Sequence, residues 1–591
     1  MIGERRRPLI DADLVVRATL AWLLMAVLLA IAGFSSVAER QFNEGDDIMR
    51  LLQVRDWLAG QSWFDVSQYR IDAPYGASMH WSRLVDIPLA VLIVLLSPIF
   101  GQPMAEHIAA VVVPLGTLWI AVLLIGRIAW KICDEEATGL ACLAAALAAP
   151  LLHQMRPMRI DHHGWQIVLF MLSVNALMAR DARRGGWILG GALALWLNIS
   201  MEALPMVAVF GGILFVRWLR CWGDRAWLAS MLQSLAAGSA GLYLLTRGLT
   251  PSLPMCDAMA PAHIAALAIV AVAATGLARA ETPRPWLFMV LVLGTGALTG
   301  LVVLLQMAPQ CADGSFAGMD PLARDVWLAN VIESKPLWHH PLDLIAQILL
   351  PAIVAIVVSL RLAARSADWL HRWHLEYAAL LLAALALAIF LPRSSGLVAG
   401  MAAVPIGIQL KQWLRQLRNL GRPGKQAIAV AGMIASLLPA MPLTLMMHAA
   451  PSHASSAKAA PAISGDSCDV RGVLPALGSD TANVMAPIDL GPAILLDSPH
   501  RVVATAHHRA HRGIGDTIRT FTGTEQAAHA ILRERRIGFV MMCPGKAELR
   551  LYRSMGEDNF ADRLSAGAAP DWLMPIAHDG DQGVLVWRVI G

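Results

Sequence analysis

Apolar runs of membrane-spanning length recur along this chain, more of them than the core of a water-soluble domain could bury. Ala18 to Phe34, Ala109 to Ile128, Trp227 to Leu245, Trp286 to Leu305, Leu342 to Leu360 and Ala427 to Met447 all approach the ~20 residues that cross a ~30 Å hydrocarbon layer. Composition agrees, with 57% of the 591 residues hydrophobic, 15% charged and a mean hydropathy of +0.56. A net charge of +4 is too small to argue for nucleic acid.

Lys and Arg gather at the ends of the apolar runs, where they report orientation. Glu4 to Arg7 precede the first run, which is too long and too poorly terminated for a cleaved signal, so it reads as an anchor with its basic end in the cytoplasm. From there Ala109 to Ile128 runs inward, Ala137 to Leu152 out, Trp165 to Met178 in, Trp187 to Ile199 out, Leu204 to Trp218 in and Trp227 to Leu245 out. Ala262 to Leu277 and Trp286 to Leu305 form a hairpin, Leu342 to Leu360 runs in, Ala378 to Leu391 and Gly396 to Leu410 form another, and Ala427 to Met447 exits. That makes thirteen crossings, with the dense basic loops nearly all inside. Ile87 to Ile99 has only 13 residues, with Pro88 and Pro98 at its ends, and would cover roughly 20 Å, so it is expected to be an interfacial or re-entrant helix.

The predicted architecture is an all-α polytopic membrane domain over 1–447, an Ala- and Ser-rich linker over 448–462 and a small periplasmic α/β domain over 463–591. In the tail, Ala493 to Leu496, Val502 to Thr505 and Ile537 to Met542 read as strands, with a helix from Gly523 to Arg535. The expected setting is a bacterial inner membrane, N-terminus cytoplasmic and C-terminal domain periplasmic. Cysteine placement suits that compartment. Cys256 and Cys311 bracket the outer end of one hairpin and Cys468 and Cys543 share the tail, so each pair could bridge; four unpaired thiols is the alternative.

Polar chemistry collects in the outer loops. The first, 38–86, carries Glu44, Asp46, Asp47, Arg50, His80, Arg83 and Asp86, too many charges for a mere connector. The second contains Arg156, Arg159, Asp161, His162 and His163. Carboxylate beside imidazole suits a divalent cation such as Mn2+, while the plainer reading has Asp161 capping the helix that begins near Trp165. The loop 308–341 places Glu333 in Val-Ile-Glu-Ser, downstream of Asp320, Arg324 and Asp325. Glu202 begins a crossing at the outer interface, where it could face a site or simply reach water. In the tail, His500, His507, His508, Arg509, His511 and Arg512 could bind phosphate, although a solvated loop is the favoured reading.

The thirteen-crossing plan, the acidic first loop, Asp161-His162-His163, Val-Ile-Glu-Ser and the outer tail together resemble the catalytic subunit of oligosaccharyltransferase, within the C superfamily of membrane glycosyltransferases. The archaeal single-subunit enzymes are similar in detail, including His80-Trp81 late in the first loop. The resemblance implies transfer of a sugar or oligosaccharide, with inversion, from a polyprenyl phosphate or pyrophosphate to a periplasmic acceptor. It implies that Asp47, or Asp46 in another register, joins Asp161, His163 and His162 around Mn2+ or Mg2+. Arg393, with His80 and Arg83, would bind donor phosphate, and Asp47, Asp46 and Glu333 would be catalytic. Two departures matter. Glu44, rather than an aspartate, stands six residues before Arg50, and the tail has no Trp-Trp-Asp stretch, so a lipid, glycan or hydroxyl-bearing protein acceptor is expected instead of an Asn-x-Ser/Thr sequon. The rival readings are a lipid-linked glycan transporter or flippase, which should show mid-bilayer charges and inverted repeats, and a glycan polymerase or ligase.

Overall fold

The structure is a computed structural model and describes residues 11–42, 44–249, 255–316, 318–418, 423–441, 468–581 and 583–590. Two compact units share the chain, each assembled from segments distant in sequence. The first takes Met1–Gln41, Ser82–Ser315 and Ile332–Pro451; the second takes Phe42–Trp81, Phe316–Val331 and Ser452–Gly591. The linker expected over 448–462 lies outside the described residues.

Helices make up the first unit. They begin with α1 (Ala12–Ala32) and a short α2 (Phe34–Ala38); α3 (Gly45–Leu58) belongs to the second unit. The first unit resumes with α4 (Asp86–Phe100), α5 (Gln102–Ile132), α6 (Glu135–Ala146), α7 (Ala149–His153) and α8 (His163–Ala176). Then come α9 (Ala182–Ile199), α10 (Leu204–Arg220), α11 (Arg225–Arg247), α12 (Pro261–Ala278) and α13 (Trp286–Met307). Last are α14 (Leu342–Ala364), α15 (Asp368–Phe390), α16 (Ser395–Leu417) and α17 (Pro423–Leu437).

Ten helical segments among the described residues are long and apolar enough to cross a membrane. Nine coincide with expected crossings, and the tenth is Arg83–Phe100. Helices α6, α8, α9 and α17, of 12, 14, 18 and 15 residues, stand where the other four crossings are expected. The segment around Ile87 to Ile99 is longer than its prolines suggest. Pro88 falls in the first turn of α4, where the missing N–H has no intrahelical acceptor to lose, so the helix starts upstream of it. Gly101, at φ +76°, then turns the chain directly into α5.

Small residues hold these helices together, as expected where lipid removes the hydrophobic drive for association. Gly186 and Gly190, four apart on α9, press against α11: a Cβ on Gly190 would stand 2.2 Å from the Met231 carbonyl oxygen. Gly407 of α16 meets Ala141 of α6 in the same way, with a Cβ 2.4 Å from the Ala141 nitrogen. Helix α16 is buried along most of its length and forms the unit's axis.

The second unit has a five-stranded sheet of order β4-β3-β5-β7-β6, built from β3 (Asn483–Met485), β4 (Arg501–Val502), β5 (Ile537–Met542), β6 (Leu573–Pro575) and β7 (Leu585–Val589). Strands β4, β3 and β5 are parallel; β7 and β6 continue antiparallel. Strand β5 and the helix Glu525–Glu534 stand where the sequence places them. Ala493 to Leu496 does not form a strand. It lies in the helix Gly491–Asp497, because Gly491-Pro492 starts a helix well and a four-residue apolar run carries no period to oppose it.

The first loop folds into this unit. A two-stranded ribbon, β1 (Ser67–Gln68) and β2 (Ala77–Ser78), frames a segment that extends the sheet at β4: Ala73 N–H donates to the Val502 carbonyl at 3.1 Å and Val502 N–H to the Arg70 carbonyl at 2.9 Å. Ile48, Met49, Leu52, Val66, Ile71 and Trp81 share one core with Val484, Leu495 and Phe539.

Candidate functional site

In the first unit the polar residues just before α8 meet at the start of that helix. Asp161 is buried; its Oδ1 accepts the His163 backbone N–H at 2.7 Å, and its Oδ2 lies 3.1 Å from Arg159 Nη2 and 3.6 Å from His163 Nε2. Asp161 therefore caps the start of α8 while keeping its second oxygen for the cluster, so the two sequence readings are not exclusive. Burial pushes its carboxyl pKa up, but His163, Arg159 and His162 outweigh that and hold it well below the usual carboxylate range. The rings of His162 and His163 lie 4.4 Å apart, and ligand atoms from Asp161, His162 and His163 all fall within 4.8 Å of one another.

Gln166, one helical turn on, extends the cluster. Its amide nitrogen lies 3.2 Å from His163 Nδ1 and 3.3 Å from Glu202 Oε2, and its oxygen accepts the Trp196 indole N–H at 2.9 Å. Glu202 in turn is ion-paired with Arg393. One polar chain thus runs from Arg159 through Asp161, His163, Gln166 and Glu202 to Arg393. Arg393 Nε is buried and has no hydrogen-bond partner among the described residues. The turn Ile332–Ser334, which holds a half-buried Glu333, packs against the turn Pro392–Ser394.

Arg83 also belongs to this unit. Its side chain has no exposed surface and is paired with an equally buried Asp86 at 3.4 Å, an arrangement that fixes the start of α4. The sulfurs of Cys256 and Cys311 are bonded.

Asp46, Asp47 and His80 lie in the second unit. Asp47 is fully buried in the first turn of α3. Asp46 Oδ1 is 3.3 Å from His507 Nε2, the Arg50 guanidinium lies 4.3 Å over the Trp81 ring, and His80 and His508 stand with ring centroids 4.6 Å apart. His507 and His500 are buried, so this part of the tail's histidine cluster is not the solvated loop favoured from the sequence. Cys468 and Cys543 are bonded to each other.

No protein-family profile and no curated protein matches the chain in sequence. Solved structures do match it. The archaeal oligosaccharyltransferase AglB from Archaeoglobus fulgidus, in complex with an inhibitory peptide and a dolichol-phosphate, aligns with a TM-score of 0.68 at 14% identity, covering 98% of this chain and 76% of its own. The fold is that of an archaeal oligosaccharyltransferase. The Archaeoglobus fulgidus oligosaccharyltransferase in its apo form aligns at 0.61 with 15% identity over 97% of this chain and 74% of its own. Its complex with Zn and sulfate gives 0.59 and 16% over 98% and 75%. At these identities the superpositions establish shared architecture alone.

On this oligosaccharyltransferase fold, sequence reasoning names the ends of the polar chain and misses its middle. Gln166 is one turn after His163 on the same helix face, and a lone glutamine in an apolar run at that spacing is the signal that could have found it. Trp196 has no such signal, because tryptophan near the end of a crossing reads as an interfacial anchor.

Proposed function

We propose that this chain is a membrane glycosyltransferase that moves a sugar or oligosaccharide from a polyprenyl-linked phosphate or pyrophosphate to an acceptor on the outer side of a bacterial inner membrane, inverting the anomeric carbon. One observation carries the reading: Asp161, His162 and His163 are joined through Gln166 to Glu202 and Arg393 in a fold shared with an oligosaccharyltransferase solved with dolichol-phosphate.

The residues fit a divalent ion, Mn2+ or Mg2+. A carboxylate and two imidazoles converge within 4.8 Å, and a mixed oxygen and nitrogen set suits Mn2+. A structural relative solved in complex with Zn and sulfate supports a divalent metal in general. Asp161, His163 and His162 would hold the ion, which when bound neutralises charge on the departing phosphate. Arg393 then presents its unpartnered Nε to phosphate oxygen, while Glu202 fixes the guanidinium from the other side. Glu333, in the turn against Arg393, orients the acceptor; the family resemblance assigns the proton-accepting role to a first-loop acid, Asp47 or Asp46. Without a Trp-Trp-Asp stretch, the acceptor is a lipid, a glycan or a protein hydroxyl.

Asp161→Ala in membranes supplied with labelled polyprenyl-linked sugar, with and without Mn2+ or Mg2+, tests this. Transfer is expected to fall at least a hundredfold. Unchanged transfer would reject the site, and donor movement across the membrane with no transfer even in the unmodified protein would favour a flippase.

A further inference from the structure

A cavity opens between α10 and α15, at the end of that pair away from Glu202 and Arg393. Helix α10 runs 17 residues from its start beside Glu202, so the two ends lie about 25 Å apart. The cavity measures about 360 Å3. Val209, Ile213, Val216 and Leu375 give it apolar walls, and Gly212 opens it further: a Cβ built there meets nothing within 4 Å. Val216 and its neighbour Leu219 are exposed, so the cavity gives onto the helix surface rather than the interior.

Its polar end is cationic. Arg217, Arg220 and Arg372 line it with Glu376 as the one acid. The acids at hand are already engaged. Arg217 Nε donates to Glu376 at 2.7 Å, and Arg372 lies 3.1 Å from Asp224 and 3.9 Å from Glu376. Arg220, exposed at the last position of α10, takes part in no ion pair among the described residues. Three guanidiniums against these two carboxylates leave one positive charge in excess, and the one acid lining the cavity among the described residues, Glu376, is already paired.

We infer that this groove binds an anionic glycerophospholipid, an acyl chain lying along Val209, Gly212 and Val216 and the headgroup phosphate meeting Arg220 and Arg372. Apolar walls on two membrane-crossing helices select a lipid over a soluble phosphate, and the charge balance selects an anionic headgroup over a zwitterionic one. The site is separate from the donor site proposed above and does not depend on it.

The test uses the full-length protein in a neutral detergent, titrated with dioleoyl-phosphatidylglycerol, dioleoyl-phosphatidylcholine or inorganic phosphate and read by native mass spectrometry and thermal unfolding. Phosphatidylglycerol is expected to bind and raise Tm, with the other two inert at the same concentration. Arg220→Gln should weaken phosphatidylglycerol binding roughly tenfold. Gly212→Leu, which fills open space, should abolish it while keeping the lipid-free Tm. Equal binding of both lipids, an equal effect of inorganic phosphate, or binding unchanged in Arg220→Gln overturns the proposal. Should Gly212→Leu lower the lipid-free Tm, the exposed Arg220 variant decides alone.

Discussion

Gln166 offers the sharpest test of the polar chain, because it touches three groups and is itself no ligand in the proposed reaction. Gln166→Leu roughly preserves side-chain volume and deletes the contacts at 2.9 Å to Trp196, 3.2 Å to His163 and 3.3 Å to Glu202. Trp196 is fully buried, so its indole N–H is left without an acceptor at a cost of about 1–3 kcal/mol. Glu202 keeps Arg393 and so loses about 1 kcal/mol. Together these come to about 2–4 kcal/mol, which a helical unit of this size survives. The functional effect follows from His163, whose ring loses the partner that orients it. Outer partners of metal ligands change metal affinity or activity roughly 10–100-fold. Transfer by the purified variant across a Mn2+ titration should therefore show half-saturation raised about tenfold. A merely structural role would lower the yield of folded protein and leave that midpoint in place. If the variant titrates with Mn2+ as the unmodified protein does, the argument that Gln166 positions a metal-binding histidine fails.

Packing and acid stability give two more tests. Gly190→Leu puts a side chain where even a Cβ would stand 2.2 Å from the Met231 carbonyl, so α9 and α11 must part; loss of monodisperse protein on fluorescence-detected size exclusion is expected, whereas Gly212→Leu should behave normally. Asp320 of the second unit is pushed up by burial, but the Arg519 guanidinium at 2.6 Å and the Ala323 and Leu322 backbone N–H groups hold its pKa below the usual value. A depressed carboxyl stabilises fully above its unfolded pKa near ~3.9 and loses that contribution as pH falls through the lower folded value. Acid unfolding of the second unit should thus begin below about pH 4, and Asp320→Asn should flatten that limb of the stability curve. An unaltered acid limb in the variant would assign the effect to other groups.

What was legible in the sequence follows from which physics is local. Apolar runs and basic ends depend on a bilayer, not on distant partners, so nine of the expected crossings coincide with helices long enough to span. The motif Asp161-His162-His163 was legible for a similar reason: three polar groups together at the start of a crossing need each other or a ligand. Arg83 shows the limit. The resemblance offers it as a phosphate ligand; what no local pattern shows is that its side chain is buried and paired with an equally buried Asp86 three residues on. The short tail strands were equally out of reach. Two or three residues of β3 and β4 owe their extended form to parallel neighbours 18 and more positions away, which no local pattern encodes.

That the first loop folds with the tail changes how the tail can be studied. Residues 42–81 have no core of their own. Ile48, Met49, Leu52, Ile71 and Met79 are buried against tail residues such as Val484, Leu495 and Val502, and the Arg70 side chain donates to the carbonyls of Leu495 at 2.8 Å and His500 at 2.9 Å. Arg535, also buried, bridges back to Asp72 at 2.9 Å and to the Ala73 carbonyl at 2.8 Å. Deleting 463–591 therefore uncovers at least five apolar side chains of the first loop and removes these four hydrogen bonds of Arg70 and Arg535 between loop and tail, and each exposed apolar group forfeits about 1.5–3 kcal/mol. The loop should unfold, and limited proteolysis of the truncated protein should cut within 42–81 while the membrane helices stay intact. Loss of transfer in such a deletion would then report a ruined Asp46 and Asp47 segment as much as a missing acceptor site. Point changes on the tail's histidines, His508→Ala first, separate the two: an altered acceptor range with proteolytic resistance retained in 42–81 would place acceptor choice in the tail. If instead the deletion leaves 42–81 resistant to protease, the loop has a fold of its own and the discontinuous unit is wrong.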